Sequence, residues 1–316
     1  MTETSVEQTI VHRRKSFGRY FAVNKALYAM LVPGLLVLLV FRYLPMYGLI
    51  ISFQHFHPAV GIAASRWVGF AHFVNFFSDP YFVRLIRNTF LLGLYTLIIG
   101  FPAPIVFAIL LNELRVHTFK RVVQTISYMP HFLSIVVVIG LLRQLTSMSD
   151  GVINDMIESL GGARIHFFAR PEWFRPLYIT SVIWQGVGFG SILYLAAIAG
   201  INPELYESAV MDGANRFAQI WHITLPSILP TITILFILAV GGILGNDFQR
   251  VLLMYSPFNY ETADVVQTYV YRVGLESPSP NFSYAAAVGL FMAVISLVFL
   301  IVTNRLAKTV GESSLW

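Results

Sequence analysis

Long apolar runs separated by short polar stretches set the plan of this chain. Six runs stand out, at about 27–51, 88–112, 122–142, 176–201, 227–244 and 284–303. A helix rises about 1.5 Å per residue, so about 20 residues cross the roughly 30 Å of hydrocarbon in a bilayer. The pattern therefore predicts six membrane-spanning helices. Arg42 interrupts the first run near one edge, where a long side chain can reach the interface. The second run has no charge and contains Pro102 and Pro104, which a span tolerates when neighbours satisfy the freed carbonyls. Pro130 and His131 stand early in the third run, and Gly186, Gly188, Gly190 and Gly200 crowd the fourth. Glycine at that density permits close helix packing or leaves room for a path.

The polar connectors differ in kind. Residues 52–84 are mixed and rich in aromatics, which suits a segment lying along the membrane–water boundary. Residues 146–175 read as a loop marked by Gly161, Gly162 and Pro171, and 245–282 form a second polar stretch. The connector at 202–226 is patterned more tightly. Asn202 suits an N-cap and Pro203 the first helical position, with Glu204 and Glu207 in the first turns near the positive end of the helix dipole. Leu205 and Ala209 share a face, Gly213 ends the helix by a left-handed turn, and Asn215 caps a second short helix running to about His222. The expectation is a helix, a sharp bend and a helix, projecting as a knuckle between the fourth and fifth spans.

Composition narrows the class. Of 316 residues, 56% are hydrophobic and only 12% charged, and the mean hydropathy is +0.69. One membrane domain at 27–305 is expected, between a polar segment at 1–26 and a tail at 306–316. With no cysteine, disulfides and thiolate metal sites are excluded. The net charge of +5 forms no stripe of the kind that holds nucleic acid. The first 25 residues lack a short apolar core followed by a small-residue cleavage site, so they do not read as a secretory signal. All four lysines, Lys15, Lys25, Lys120 and Lys308, fall on the side that holds the N-terminus, and Arg13, Arg14 and Arg19 flank the first run. By the positive-inside rule both ends are cytoplasmic.

The knuckle carries a recognisable spacing. Glu207, Ser208 and Ala209 are followed by Gly213, Ile223, Leu225 and Pro226. This resembles the signature loop of ABC importer permeases, with Ser208 where that pattern has alanine. Further stretches resemble the carbohydrate-type permeases: 101–104, 111–115, 124–132, 245–248, 268–275 and 284–291. The subgroup is the one that imports oligosaccharides and polysaccharide fragments, acidic ones such as aldouronates and alginate included. The resemblance covers about 27–305. It implies an all-α membrane protein of type I importer architecture, multi-pass in the bacterial cytoplasmic membrane. It further implies a second permease subunit, two ABC ATPase subunits that bind ATP and magnesium, and an extracytoplasmic sugar-binding protein. The chain itself would be non-catalytic, hold no cofactor and meet membrane lipid. It contains no phosphate-binding Gly-x-x-x-x-Gly-Lys-Ser/Thr loop.

Candidate residues follow from this frame. In the knuckle, Asp212 is placed to pair with a basic residue of the ATPase or to cap the turn locally, and Phe217 and Trp221 to anchor the second helix. For a sugar path, Trp184, Gln185 and Tyr194 offer an aromatic platform with polar contacts. Asn246, Asp247, Gln249 and Arg250 sit at the outer end of the fifth run, where polar groups need water or a partner. His55 and His57 have strand-like metal spacing but no nearby carboxylate. The basic residues expected outside are all arginine: Arg42, Arg66, Arg84, Arg87, Arg143, Arg164, Arg170, Arg175, Arg250 and Arg272. Arginine can grip a uronate carboxylate bidentately, so an arginine-lined mouth for an acidic sugar is one reading and internal pairing the other. Rival classes are a membrane-embedded polysaccharide enzyme, which would need a paired-carboxylate or metal constellation, and a secondary transporter, which would need buried charges for ion coupling.

Overall fold

Proline, glycine and capping residues decide where the apolar runs become helices. The computed structural model describes residues 24–309. Among the described residues, five helical stretches are long and apolar enough to cross a membrane: Lys25–Phe53, Phe82–Glu113, Pro171–Ala199, Arg216–Gly241 and Phe282–Lys308. A sixth crossing is the pair His117–Phe132 and Ile135–Leu145, bent by 105°. The expected basic flank at Arg13, Arg14, Lys15 and Arg19 and the tail beyond residue 309 lie outside the described residues.

The chain divides into two units, parting after Ile50. In the first, helix α1 (Lys25–Leu38) holds Pro33 and buries none of its residues, and it continues through a widened π turn at Leu39–Tyr43 that contains Arg42.

The second unit begins with a two-stranded ribbon, β1 (Gln54–His55) antiparallel to β2 (Arg66–Trp67). Helix α2 (Ala71–Phe77) follows, and its aromatics do more than lie along an interface. Phe76 is buried and packs edge-on against Phe82 at 5.0 Å and Phe291 at 5.8 Å. The second span is α3 (Phe82–Tyr95), a π turn (Thr96–Gly100) and α4 (Pro102–Glu113). It starts six residues earlier than the uncharged run, and Arg84 within that extension pairs with Asp264.

The third run is the main correction to the sequence reading. It is not one helix at 122–142 but α5 (His117–Tyr128), a tight turn (Met129–Phe132) and α6 (Ile135–Leu145). Pro130 has no N–H for the ladder, Leu133 is extended, and the Ser134 side chain accepts from Val137 N at 3.4 Å to start the next helix. Helix α7 (Val152–Ser159) lies in the following loop, and the fourth span α8 (Pro171–Ala199) runs 29 residues, about 43 Å at 1.5 Å per residue.

The knuckle comprises α9 (Pro203–Met211) and α10 (Arg216–Gln219). Contrary to the expectation of a short helix ending near His222, α10 does not stop. It passes through a π turn (Ile220–Thr224) into α11 (Leu225–Gly241). Both this turn and Thr96–Gly100 precede a helix that opens with proline; the widened turn carries the helix past the missing donor without a break. The remaining elements include α12 (Phe248–Met254), α13 (Val266–Tyr271) with a π turn (Arg272–Glu276), and α14 (Phe282–Thr309).

Lipid tails are as apolar as leucine, so packing between spans depends on close van der Waals contact. Phe174, Tyr178, Val138 and Met254 form one cluster, Phe76, Tyr269, Tyr284 and Val288 a second, and Ile105, Ala108, Tyr194 and Ile228 a third. At Gly188 a Cβ would overlap the Ser127 backbone carbonyl, so α5 and α8 meet only because this residue is glycine.

Candidate functional site

Two regions concentrate polar chemistry, and α8 joins them. At one of its ends stands the knuckle. Asn202 Oδ1 accepts from Glu204 N at 3.1 Å, with Pro203 in the first turn. Gly213 takes φ +80°, Ala214 N donates to Ala209 O at 2.8 Å and Gly213 N to Val210 O at 3.0 Å. That pair of bonds is the left-handed helix stop anticipated from the residues. Asn215 Oδ1 then accepts from Ala218 N at 2.9 Å, opening the second arm.

The knuckle is anchored at its base and exposed at its tip. Tyr206 OH meets Thr224 Oγ1 at 2.9 Å, and Arg216 pairs with Glu113 at the end of α4. Leu225 packs in the third cluster, Ile223 and Ala209 are half-buried, and Pro226 begins α11. Ser208 Oγ returns to Leu205 O at 3.1 Å. At the tip, Met211 is 87% exposed, Phe217 84% and Trp221 69%. Asp212 and Glu207 are exposed beside them, and neither carboxylate has a polar partner among the described residues. The tip thus presents exposed apolar side chains beside two carboxylates without polar partners.

The second region lies within the spans. A half-open cavity of about 370 Å³ is lined by α3, α4, α8, the end of α11 and the start of α12, and Tyr178, Asn246, Asp247 and Arg250 contribute its polar wall. Asp247 caps α12, accepting from Arg250 N at 3.1 Å, while its own N donates to Tyr178 OH at 3.2 Å. The Arg250 guanidinium is almost wholly buried. It donates to Asp247 Oδ2 at 3.2 Å, Ser181 Oγ at 2.8 Å and Gln185 Oε1 at 2.6 Å, with the Tyr178 ring 5.9 Å from its centre. Gln185 Nε2 donates in turn to Leu133 O at 2.9 Å. Asn246 Nδ2 donates to Thr89 O at 3.1 Å.

Gln185, Asp247 and Arg250 are thus brought together, with Asn246 on the same wall. The other expected path residues stand elsewhere. Tyr194 is buried in the third cluster, Trp184 is exposed on α8 rather than paired with it, and Gln249 is exposed on α12. Gly186 lines the cavity, whereas Gly190 packs near Pro104.

Most of the arginines expected at the mouth are paired within the chain. Arg272 donates to the fully buried Asp264 at 2.7 and 3.2 Å, and Arg84 lies 3.7 Å from the same carboxylate. Arg164 pairs with Asp155 at 2.6 Å and Glu158 at 2.8 Å, and Arg170 with Glu172 at 3.8 Å. Arg175 donates to Asn88 Oδ1 at 3.0 Å and Arg143 to Leu253 O at 2.6 Å. Together with Arg250, seven of the ten have partners within the chain. His55 lies on the short ribbon, and His57 Nδ1 accepts from Ala59 N at 3.3 Å. Among the described residues no group of three or more His, Cys, Asp or Glu side chains is placed to hold a metal ion.

Sequence reasoning missed Glu113, Tyr206, Thr224, Ser181 and Asp264 as organising residues. Only Glu113 carried a signal, as the lone acid closing a 25-residue uncharged run.

Comparison with known proteins gives a consistent picture. The family model described as "Binding-protein-dependent transport system inner membrane component" matches residues 100–312. The polygalacturonan/rhamnogalacturonan transport system permease protein YteP of Bacillus subtilis (strain 168) is 46% identical, over 93% of this chain and 91% of that protein. A chain from the crystal structure of a bacterial ABC transporter involved in import of the acidic polysaccharide alginate has a TM-score of 0.86 at 44% identity. The match covers 93% of this chain and 99% of that one. A chain of the bacterial alginate transporter in complex with an alginate pentasaccharide-bound periplasmic protein has a TM-score of 0.87 at 42% identity, covering 95% and 100%.

Proposed function

The chain belongs to the family of binding-protein-dependent transport system inner membrane components, and from that membership we propose that it imports oligosaccharide fragments of an acidic polysaccharide. It is a non-catalytic, multi-pass permease subunit of a carbohydrate ABC transporter in the inner membrane. Two ATPase subunits supply ATP and magnesium binding, and a second, homologous permease completes the path. A sugar-binding protein on the outer face delivers the substrate.

The observation that carries the coupling reading is the exposed tip formed by Met211, Phe217 and Trp221 around Asp212. Each such side chain contributes about 1.5–3 kcal/mol on full burial, enough for a small tip to hold a partner. Because α10 continues into α11, displacement of the tip passes into the fifth span as a lever rather than through a loose loop. The salt link from Arg216 to Glu113 carries it into the second span as well. The cavity lies where the second, fourth and fifth spans meet, so rocking of those helices changes its exposure.

Acidic substrate is supported by the substrates of two relatives, polygalacturonan/rhamnogalacturonan and alginate. Arg250 and Arg272 do not add to that support, since each is already engaged by partners within the chain. The test measures ATP hydrolysis by the reconstituted complex with its binding protein and oligosaccharides of equal length. Stimulation by oligogalacturonate or oligoalginate and none by neutral arabino- or cello-oligosaccharides is expected. Equal stimulation by neutral sugars overturns the acidic assignment.

A further inference from the structure

A groove of about 510 Å³ lies between the second and fourth spans. Arg175 stands at one end of it, and Ile179 and Ile183 follow at steps of four residues on the same face of α8. Tyr95 and Ile99 form the facing wall. At about 1.5 Å per residue, the floor is a strip of about 12 Å that leads from a guanidinium toward the middle of the membrane.

Charge gathers at the end opposite the knuckle. Arg175 Nη2 donates to Asn88 Oδ1 at 3.0 Å, while its Nε is buried with no acceptor among the described residues. Arg87, next to Asn88 in α3, is exposed and has no hydrogen-bond or ion-pair partner among the described residues. It stands close enough for its charge to act on Arg175, as does that of Glu261. Glu172 at the rim is met by Arg170 at 3.8 Å. Three arginines against two glutamates leave this end net positive. Helices α3 and α8 both start here, so the positive ends of two helix dipoles add to the field.

Any apolar face of a span touches lipid. This one is concave and ends on guanidinium groups, which is the form of a basic pocket between spans that holds an anionic headgroup. An arginine set into a span is costly unless an anion or polar group meets it. Phosphate accepts from the planar fork bidentately, and isoleucine favours an acyl chain. A uronate meets the arginines equally well but leaves the isoleucine strip uncovered.

We propose that this groove binds an anionic phospholipid, with its phosphate on Arg87 and Arg175 and an acyl chain along Ile179 and Ile183. The leaflet, the outer one, follows from the importer reading, which puts the knuckle inside; the site itself is independent of the sugar. Ile183 also lines the central cavity, so the chain lies one side chain away from it.

The test uses the whole complex in phosphatidylcholine nanodiscs that carry a minor share of phosphatidylglycerol with a diazirine in its acyl chain. On irradiation, adducts are expected within 95–99 and 179–183, and diazirine-bearing phosphatidylcholine at the same share is expected to label them several-fold less. Arg87→Gln, which has no partner within the chain to lose, is expected to cut the phosphatidylglycerol adducts several-fold, and Arg87→Lys to keep most of them. Labelling by phosphatidylcholine is expected to be the same in parent and variants, which reports an intact groove. Excess oligogalacturonate is expected to leave the adducts in place. Equal labelling by the two lipids, or equal phosphatidylglycerol adducts in the parent and Arg87→Gln, overturns selection by charge. Displacement by oligogalacturonate overturns lipid in favour of a uronate. Benzoylphenylalanine at position 99 that crosslinks to the second permease, with no lipid adduct in the parent, overturns it in favour of that subunit.

Discussion

Gln185 donates a 2.9 Å hydrogen bond to the carbonyl of Leu133, the residue at which the third span breaks. The same side chain accepts from Arg250 at 2.6 Å, so the break is tied through α8 to the polar wall of the cavity. A bend of 105° within a span frees backbone groups that lipid cannot satisfy, and Gln185 supplies one of the missing partners.

Gln185→Leu should therefore do more than empty a site. It strands the Leu133 carbonyl and one amine of Arg250, each at about 1–3 kcal/mol. The purified complex should lose several degrees of thermal midpoint, and ATP hydrolysis should run with little sugar uptake. An unchanged midpoint would mean that the bend holds without this bond.

The glycines of α8 should separate by neighbour rather than by position in the run. Gly188→Val drives its side chain into the Ser127 backbone and should sharply reduce assembled complex in the membrane. Gly186→Ala, which meets nothing within 4 Å, should be tolerated for assembly. Quantifying complex yield for the two variants checks this, and equal yields would contradict the close approach of α5 and α8.

Asp264 is fully buried between Arg272 and Arg84. Arg272→Gln leaves that carboxylate short of its nearer partner and should cost about 3–5 kcal/mol, as loss of one member of a buried pair does. Arg170→Gln, at an exposed pair with Glu172, should cost less than about 1 kcal/mol. Thermal unfolding of the two variants side by side gives the comparison; similar losses would refute the ranking.

Orientation is open to a direct check. Reporter fusions after residues 118 and 215 should read cytoplasmic, and those after 155 and 265 extracytoplasmic. A 215 fusion that reads outside would remove the knuckle from the compartment that holds the ATPase.

What was legible in the residues is what local rules decide. Asn202, Gly213 and Asn215 each act within four residues of themselves, and the two caps and the left-handed stop all form where the spacing placed them. The break at Leu133 was not legible, because its supporting bond comes from a residue 52 positions away. Continuity of α10 into α11 was hidden for another reason: Pro226 reads as a boundary, and only a widened turn carries the helix past it. The arginines illustrate the limit most sharply. Their number on one side suggested a mouth for carboxylates, while partners as remote as Asn88 for Arg175 and Ser181 for Arg250, invisible in the spacing, engage most of them within the chain.

The central claim is that the knuckle transmits work between the ATPase and the spans, and substitution at its turn tests it most directly. Gly213 holds φ +80° and donates its N–H to Val210; proline can do neither. Asp212→Lys reverses the charge at an exposed tip without touching the spans. In the complex reconstituted with its ATPase subunits and loaded binding protein, Gly213→Pro and Asp212→Lys should each abolish substrate-stimulated ATP hydrolysis and uptake. Asp212→Lys should still co-purify with the second permease. Stimulated hydrolysis and uptake at parental rates in both variants would contradict the account.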